Sequence, residues 1–306
     1  MGPVAPSGQQ PPQAYAQAPQ NGAPTPYQQA MPQILPMVQL ATGLDNHCPM
    51  LTLIAQEKFG KSTTAITSLI GYPEPHMQPL VLAWDEFGPD ACAKLGYIAH
   101  AIRMGRQPGN SGVDKMRGVM RSLEQQKSAY HAQYGSIVVD CMSTAVGVFK
   151  EDAKNVPKNK NNPNTKAPYF ELAEYTKEFV NRVIDFGLPS IWLAWQTDGH
   201  VAIENKVERQ EMGGMDLDGK KVRNFVAGRA HHNFILEKKK IGVGAVDNLS
   251  GQRADDQGYI RLFHSQPWNM VNAGGRYSHL IPEPCPPHFG WVLGQITGRG
   301  QFGRRS

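Results

Sequence analysis

The chain has 306 residues, with 31 Lys and Arg against 26 Asp and Glu, four Cys, 24 Pro and 31 Gly, and none of these is spread evenly. No residue before Asp45 is charged, while residues 1–37 hold nine Pro and eight Gln. Such a head has too little apolar surface to offset its chain entropy, which predicts a disordered Pro/Gln/Ala arm at 1–45, one sizeable domain at 46–298 and a basic Gly/Arg tail at 299–306.

No apolar run reaches the roughly 18 residues of a membrane-spanning helix. The head also lacks the basic start and apolar stretch of a signal peptide, so a soluble, cytoplasmic protein with no membrane partner is expected. Cys48, Cys92, Cys141 and Cys285 are far apart with no C-x-x-C pair, which points to reduced, buried thiols rather than a zinc site or a disulfide framework.

The first predicted strand is Met50–Ile54, short, apolar and partly β-branched. A polar break follows, and then Ser62–Ile70 places Ala65, Ile66, Leu69 and Ile70 on one helical face. Pro79–Trp84 reads as a second strand ending in Asp85-Glu86, with helix from Pro89 to about Met104. Helix is predicted again over 113–133, where Val113, Met116, Val119, Met120 and Leu123 recur at spacings of three and four. Ser136–Asp140 is the third strand. The Lys- and Asn-rich stretch Lys150–Lys166 is expected as a solvated, mobile loop of net charge +3. Helix resumes over Phe170–Phe186, and the fourth strand is Ser190–Trp195, ending at Gln196. Beyond residue 200, the runs His232–Glu237, Tyr259–Phe263 and Gly290–Leu293 look like antiparallel additions to one edge. Alternating helices and nearly continuous apolar strands predict an α/β fold, a mostly parallel sheet flanked by helices.

Between the first strand and helix stands Ala55-Gln56-Glu57-Lys58-Phe59-Gly60-Lys61-Ser62-Thr63. This is the phosphate-loop pattern G-x-x-x-x-G-K-[ST] with Ala55 at its first Gly. In that pattern backbone N–H groups surround the phosphates, the Lys reaches the β/γ oxygens and the Ser hydroxyl binds Mg²⁺. The bland alternative is a surface helix whose Ser62 or Thr63 only caps free N–H groups. Other parts of a nucleotide site occur in order. Asp140 closes an apolar strand and suits an Mg²⁺ site, Glu86 suits a base that deprotonates the attacking water, and Gln196 suits a sensor of the γ-phosphate. Strand ends of a parallel sheet converge on one crevice, so these residues are expected together with ATP and Mg²⁺ as ligands.

On Phe59-Gly-Lys-Ser-Thr63, Val81-Leu-Ala-Trp-Asp-Glu86, Tyr134-Gly-Ser-Ile-Val-Val-Asp140 and Ile191-Trp-Leu-Ala-Trp-Gln196, residues 46–293 resemble the RecA-like P-loop ATPases. The likeness is strongest to short phage-encoded members that act in single-strand annealing and recombination. The resemblance implies that Glu86 is the catalytic base, Asp140 completes the Mg²⁺ site and Gln196 couples the γ-phosphate to DNA. It also implies that Arg276, in Asn272-Ala-Gly-Gly-Arg276, reaches the nucleotide of a neighbouring subunit in a homo-oligomer, Gly274 standing where the family has Lys. Further implications are replication or recombination partner proteins, and the host cytoplasm if the chain is phage-encoded.

Single-stranded DNA is the expected macromolecular partner, with Lys154, Lys158 and Lys160 of the basic loop and Arg304 and Arg305 of the tail as phosphate contacts. The bland reading of those lysines is a solvated loop, and that of His231-His232 a structural pair. Two other functions fit the same residues: a nucleotide-gated DNA-binding or scaffold module that does not hydrolyse, and a helicase-loader or packaging motor.

Overall fold

The computed structural model describes residues 48–85, 87–97, 99–105, 111–160, 162–198, 200–204, 207–211, 213–248 and 252–298, with backbone alone at 87 and 200–211. The expected arm at 1–45, Glu86, and the tail with Arg304 and Arg305 lie outside the described residues.

In chain order the elements are β1 (Met50–Ala55), α1 (Lys61–Thr67), β2 (Gln78–Ala83), α2 (Phe87–Lys94), β3 (His100–Arg103), α3 (Gly112–Gln125), α4 (Lys127–Gln133) and β4 (Tyr134–Asp140). Then come α5 (Met142–Asn155), α6 (Pro157–Lys160), α7 (Pro168–Asp185), β5 (Ser190–Thr197), β6 (His200–Glu204), β7 (Val207–Glu211), β8 (Gly214–Met215) and α8 (Lys220–Arg229). The last are β9 (His232–Lys240), β10 (Tyr259–His264), β11 (Gly274–Gly275) and α9 (Phe289–Thr297).

The main sheet runs β10-β9-β1-β5-β4-β2-β3, parallel from β9 to β3, with β10 antiparallel at the edge. Successive side chains of a strand point to opposite faces, and here both faces are covered. Met50 and Ile54 of β1, Ile137 and Val139 of β4, and Trp192 and Ala194 of β5 join one core with Met116, Met120, Phe149 and Phe179 from α3, α5 and α7. Their neighbours Leu51, Leu53, Val138, Ile191 and Leu193 join the other core with Ala65 and Ile66 of α1 and Phe289 and Val292 of α9. Double-sided burial explains why these strands are apolar without alternation.

The order of strands positions the site. β5 lies between β1 and β4, and β4 pairs with β2, so the carboxyl ends of β1, β5, β4 and β2 share one rim. Register aligns Ala55 with Trp195 and Ala83 with Asp140 along it.

Several sequence expectations need correction. The helix expected over 89–104 ends at Lys94, after which Gly96 turns at φ +81 and His100–Arg103 pairs with β2 as β3. The helix expected over 113–133 breaks at Gln126 into α3 and α4. Most of Lys150–Lys166 is helical rather than loop: α5 continues to Asn155 and α6 runs to Lys160, with Asn159 buried and donating from one amide nitrogen to the Ala153 carbonyl and Glu171 Oε2, both at 2.9 Å, while 162–166 are exposed and non-helical. β9 runs parallel to β1 rather than antiparallel, and Gly290–Leu293 belongs to helix α9. Only β10 and the two-residue β11 are antiparallel additions to β9. Residues 198–230 hold the β6–β7 hairpin and α8, neither of which was expected.

Candidate nucleotide site

The loop 56–60 leaves β1 at the carboxyl rim and enters α1. Ala55 is fully buried as the last residue of β1, its methyl packed in the core on the α1 side. Its backbone is not left-handed. The turn is made farther on, by Lys58 at φ +62 and Gly60 at φ +84, so a methyl at the first motif position is accommodated. Gln56, Glu57 and Lys58 are exposed, and Phe59 packs partly against the α9-side core.

Helix α1 begins with Gly60 as its cap, without a side-chain capping bond and without an acid in its first turn. The Ser62 hydroxyl instead donates to Asp140 Oδ1 at 3.0 Å, across from the end of β4. The capping alternative therefore does not describe Ser62.

Asp140 is completely buried, and its Oδ2 has no hydrogen-bond partner among the described residues. Burial pushes its carboxyl up to about 6; the Ser62 hydrogen bond and the Lys61 charge oppose this, and Asp85 reinforces it. Gly88 of α2 lies so close that a Cβ there would stand 1.8 Å from Oδ2. Lys61 is 8% exposed and has no hydrogen bond or ion pair among the described residues. A buried carboxylate oxygen without a direct partner is costly unless something else binds it, and the Lys61 side chain beside it lines open space.

Lys61, Ser62 and Gly88 line a cavity of about 760 Å³ together with Glu57, Lys58, Gly60, Thr63, Trp84, Asp85, Ala91, Thr144 and Trp195, and Asp140 lies behind Ser62 and Gly88. A second cavity of about 330 Å³ has Thr64 and Thr67 of α1 and Tyr97, Arg253, Tyr259 and Arg261 in its walls. The Ser62 hydroxyl and the carboxylates of Asp140 and Asp85 are hard oxygen donors, which fit a divalent cation such as Mg²⁺.

The other predicted residues are placed as follows. Gln196 follows Trp195 on β5, half-exposed, its amide donating to Asp198 Oδ1 at 3.0 Å. Arg276 is exposed and lies at the opposite rim. Its neighbour Gly275 pairs with His232, and His232 with Leu51, four residues back along β1 from Ala55. At about 3.3 Å per strand residue, that is about 13 Å along the strand from the phosphate loop. Gly274 has φ +101, and a Cβ there would stand 3.2 Å from the Ser265 carbonyl, so this backbone opposes a Lys at 274.

Of the five lysines in 150–166, Lys150 pairs with Asp218 at 3.0 Å, Lys154 with Glu151 at 2.6 Å, and Lys158 with Glu171. Lys160 and Lys166 have no ion pair among the described residues. Cys92, Cys141 and Cys285 are buried free thiols and Cys48 is half-buried. His231 accepts the Met50 amide on Nδ1 at 3.0 Å, while His232 is buried.

Sequence reasoning missed Trp84, Gly88, Thr144 and Trp195 as lining residues, and above all Arg261, whose Nε donates to the Phe59 carbonyl. Trp84, Gly88 and Trp195 adjoin residues already singled out, and their position at strand or helix ends was the available signal. Arg261 had none.

No protein-family model matches the chain, and no curated protein matches it either. Among solved structures, the chain is similar to the KaiC-like protein PH0186 from the hyperthermophilic archaeon Pyrococcus horikoshii OT3, with 11% identity, a TM-score of 0.37, and 74% of this chain and 82% of that one covered.

Proposed function

We propose that the chain is a RecA-like P-loop ATPase that binds Mg²⁺-ATP on the loop 55–63. The observation that carries this reading is the buried pair of Lys61 and Asp140, with Ser62 bridging to Asp140 Oδ1 while Oδ2 is unpartnered beside the larger cavity. The β- and γ-phosphates of a bound nucleotide would lie against Lys61 and the loop amides. Ser62 and Asp140 would hold a Mg²⁺, whose charge would neutralise that developing on the phosphate oxygens. Glu86 takes a proton from the water attacking the γ-phosphorus, and the bond to the bridging oxygen breaks to leave ADP and phosphate. Gln196 senses the γ-phosphate. An Arg276 at the far rim serves this chemistry only from a second copy of the chain, which makes the active form an oligomer.

Calorimetric titration with Mg²⁺-ATP tests the assignment. Lys61→Ala is expected to weaken binding by at least about 100-fold, the scale of a lost charged partner to phosphate, and Glu86→Gln to keep binding but stop phosphate release. Turnover retained in both variants overturns it.

Single-stranded DNA is proposed as the partner. Phe170 at the start of α7 is 66% exposed, with Lys158 Nζ 5.9 Å from its ring centroid. Lys160 and Lys166 lie nearby in the chain, and an open aromatic face beside ammonium groups suits base stacking with backbone contacts. A Phe170→Ala variant is expected to bind an oligothymidylate about fivefold or more weakly, at low and high salt alike, since stacking contributes about 1–3 kcal/mol per base. Unchanged affinity at both salt concentrations excludes this face.

A further inference from the structure

Arg261 reaches the phosphate loop from the edge strand β10, 202 residues away in sequence. Its Nε donates to the Phe59 carbonyl at 3.2 Å, and Nε and Nη2 stand 3.2 and 3.5 Å from where a Cβ would sit on Gly60. Nη1 is 3.7 Å from Asp255 Oδ2. Asp255 is itself fixed, its Oδ1 accepting the amides of Gln257 and Tyr259 at 3.0 and 2.9 Å. Arg261 lines the smaller cavity while Gly60 lines the larger, so the guanidinium stands at the seam between them.

The loop needs outside support. Gln56, Glu57 and Lys58 are exposed and bury little, yet Lys58 holds a left-handed backbone at φ +62. Non-glycine residues remain in that region only where their surroundings over-determine the conformation. Gly60, also left-handed, must then present Lys61 and Ser62 in one fixed direction. A hydrogen bond from a side chain anchored on the sheet edge supplies that constraint.

We propose that Arg261 is a positioning residue for the nucleotide site: through the Phe59 carbonyl it holds the turn that aims Gly60, Lys61 and Ser62 at a bound polyphosphate. The proposal rests on the nucleotide reading above. It acts by geometry more than by charge, because the planar guanidinium holds Nε on the loop while Nη1 faces Asp255, an arrangement a lysine ammonium does not reproduce.

The test uses the full chain with Arg261→Gln, Arg261→Lys and Asp255→Asn, read by backbone hydrogen exchange of a peptide covering 55–63 and by Mg²⁺-ATP affinity. Both Arg261 variants are expected to exchange faster in that peptide alone and to bind ATP about tenfold more weakly, the scale of one charge-assisted hydrogen bond. Asp255→Asn keeps the Phe59 contact and is expected to show the same change at about two- to threefold, within the worth of a weak exposed ion pair. Wild-type affinity and exchange in Arg261→Lys overturn the proposal, since charge alone would then suffice, while the nucleotide reading stands. An Arg261→Gln chain with unchanged loop exchange overturns it equally. If the unaltered chain binds no ATP, the nucleotide reading itself falls. If Arg261→Gln does not fold, the Lys and Asn variants decide.

Discussion

Lys61 and Lys158 are both lysines near the start of a helix, and the structure treats them in opposite ways. Lys61 is 8% exposed with no partner among the described residues, facing a cavity beside a buried acid that also has an unpartnered oxygen. The Lys158 side chain is 66% exposed and paired with Glu171, and two of its basic neighbours, Lys150 and Lys154, are paired as well. A buried acid with one oxygen left unpartnered, next to a lysine that lines a cavity, marks a place suited to receive a ligand. Surface charge with a partner is nearly neutral in energy. Counting basic residues along the sequence ranks the second region above the first, whereas asking where each charge finds its partner reverses that order.

Removal of Lys61, already described, is the largest effect this contrast predicts. Next comes Gly88→Ala. The added Cβ would stand 1.8 Å from Asp140 Oδ2 and 3.3 Å from Ser62 Cβ, so α2 or the carboxylate must move. Overpacking of this kind costs about 1–3 kcal/mol, and the displaced Asp140 should also weaken Mg²⁺-dependent nucleotide binding. Chemical denaturation together with ATP titration, with and without Mg²⁺, checks both. If both are unchanged, Gly88 and Asp140 do not constrain each other.

How much of this was legible in sequence depends on where each residue's partners lie. β1, β2, β4 and β5 were readable because burial on both faces makes them continuously apolar. β3 was not, because the edge strand His-Ala-Ile-Arg alternates between half-buried and exposed and is defined mainly by pairing with β2. Gly290–Leu293 is too short an apolar run to distinguish strand from helix by period, and its neighbours make it α9. The direction of β9 depends on the crossover before it rather than on its own residues. Within the candidate site, Ser62 was legible from the loop motif and Asp140 from its place at the end of an apolar strand, and the fold brings the two into contact. Arg261 was not, because its only link to the loop is a contact made by the fold.

Asp140→Asn separates stability from binding. The carboxyl is raised from 3.8 to about 6, so between those values the folded chain binds more protons than the unfolded one, and stability falls as pH rises through that window. Above pH 6 the ionised, buried group costs on the order of 2–3 kcal/mol, at about 1.4 kcal/mol per unit. The Asn variant, without nucleotide or Mg²⁺, should therefore be as stable as the wild type or more so at pH 7.5, with the advantage shrinking toward pH 4. Its nucleotide binding should no longer respond to Mg²⁺. Burial pushes His232 down to about 4, which removes stability from both chains alike as pH falls below 6.5, so the difference between them isolates Asp140. Urea melts at pH 7.5 and 4.5 measure it, and a less stable Asn variant at pH 7.5 contradicts the reading that burial of the Asp140 charge outweighs the Ser62 hydrogen bond and the Lys61 charge.

The smallest effect belongs to the other region. The Lys154–Glu151 pair has side chains 49% and 52% exposed, and Lys158 is 66% exposed against a mostly buried Glu171. Exposed pairs of this kind contribute about 0–1 kcal/mol, so Lys154→Ala should leave the denaturation midpoint almost unmoved. Lys158→Ala should cost slightly more, because Glu171 then depends on Asn159 Nδ2 for its side-chain hydrogen bond. Neither should alter ATP affinity, since neither residue lines the cavity that holds Lys61. If the double variant nevertheless loses ATP binding while its melt is unchanged, charge near α6 acts on the site at a distance, and the partner-based distinction between the two lysines fails.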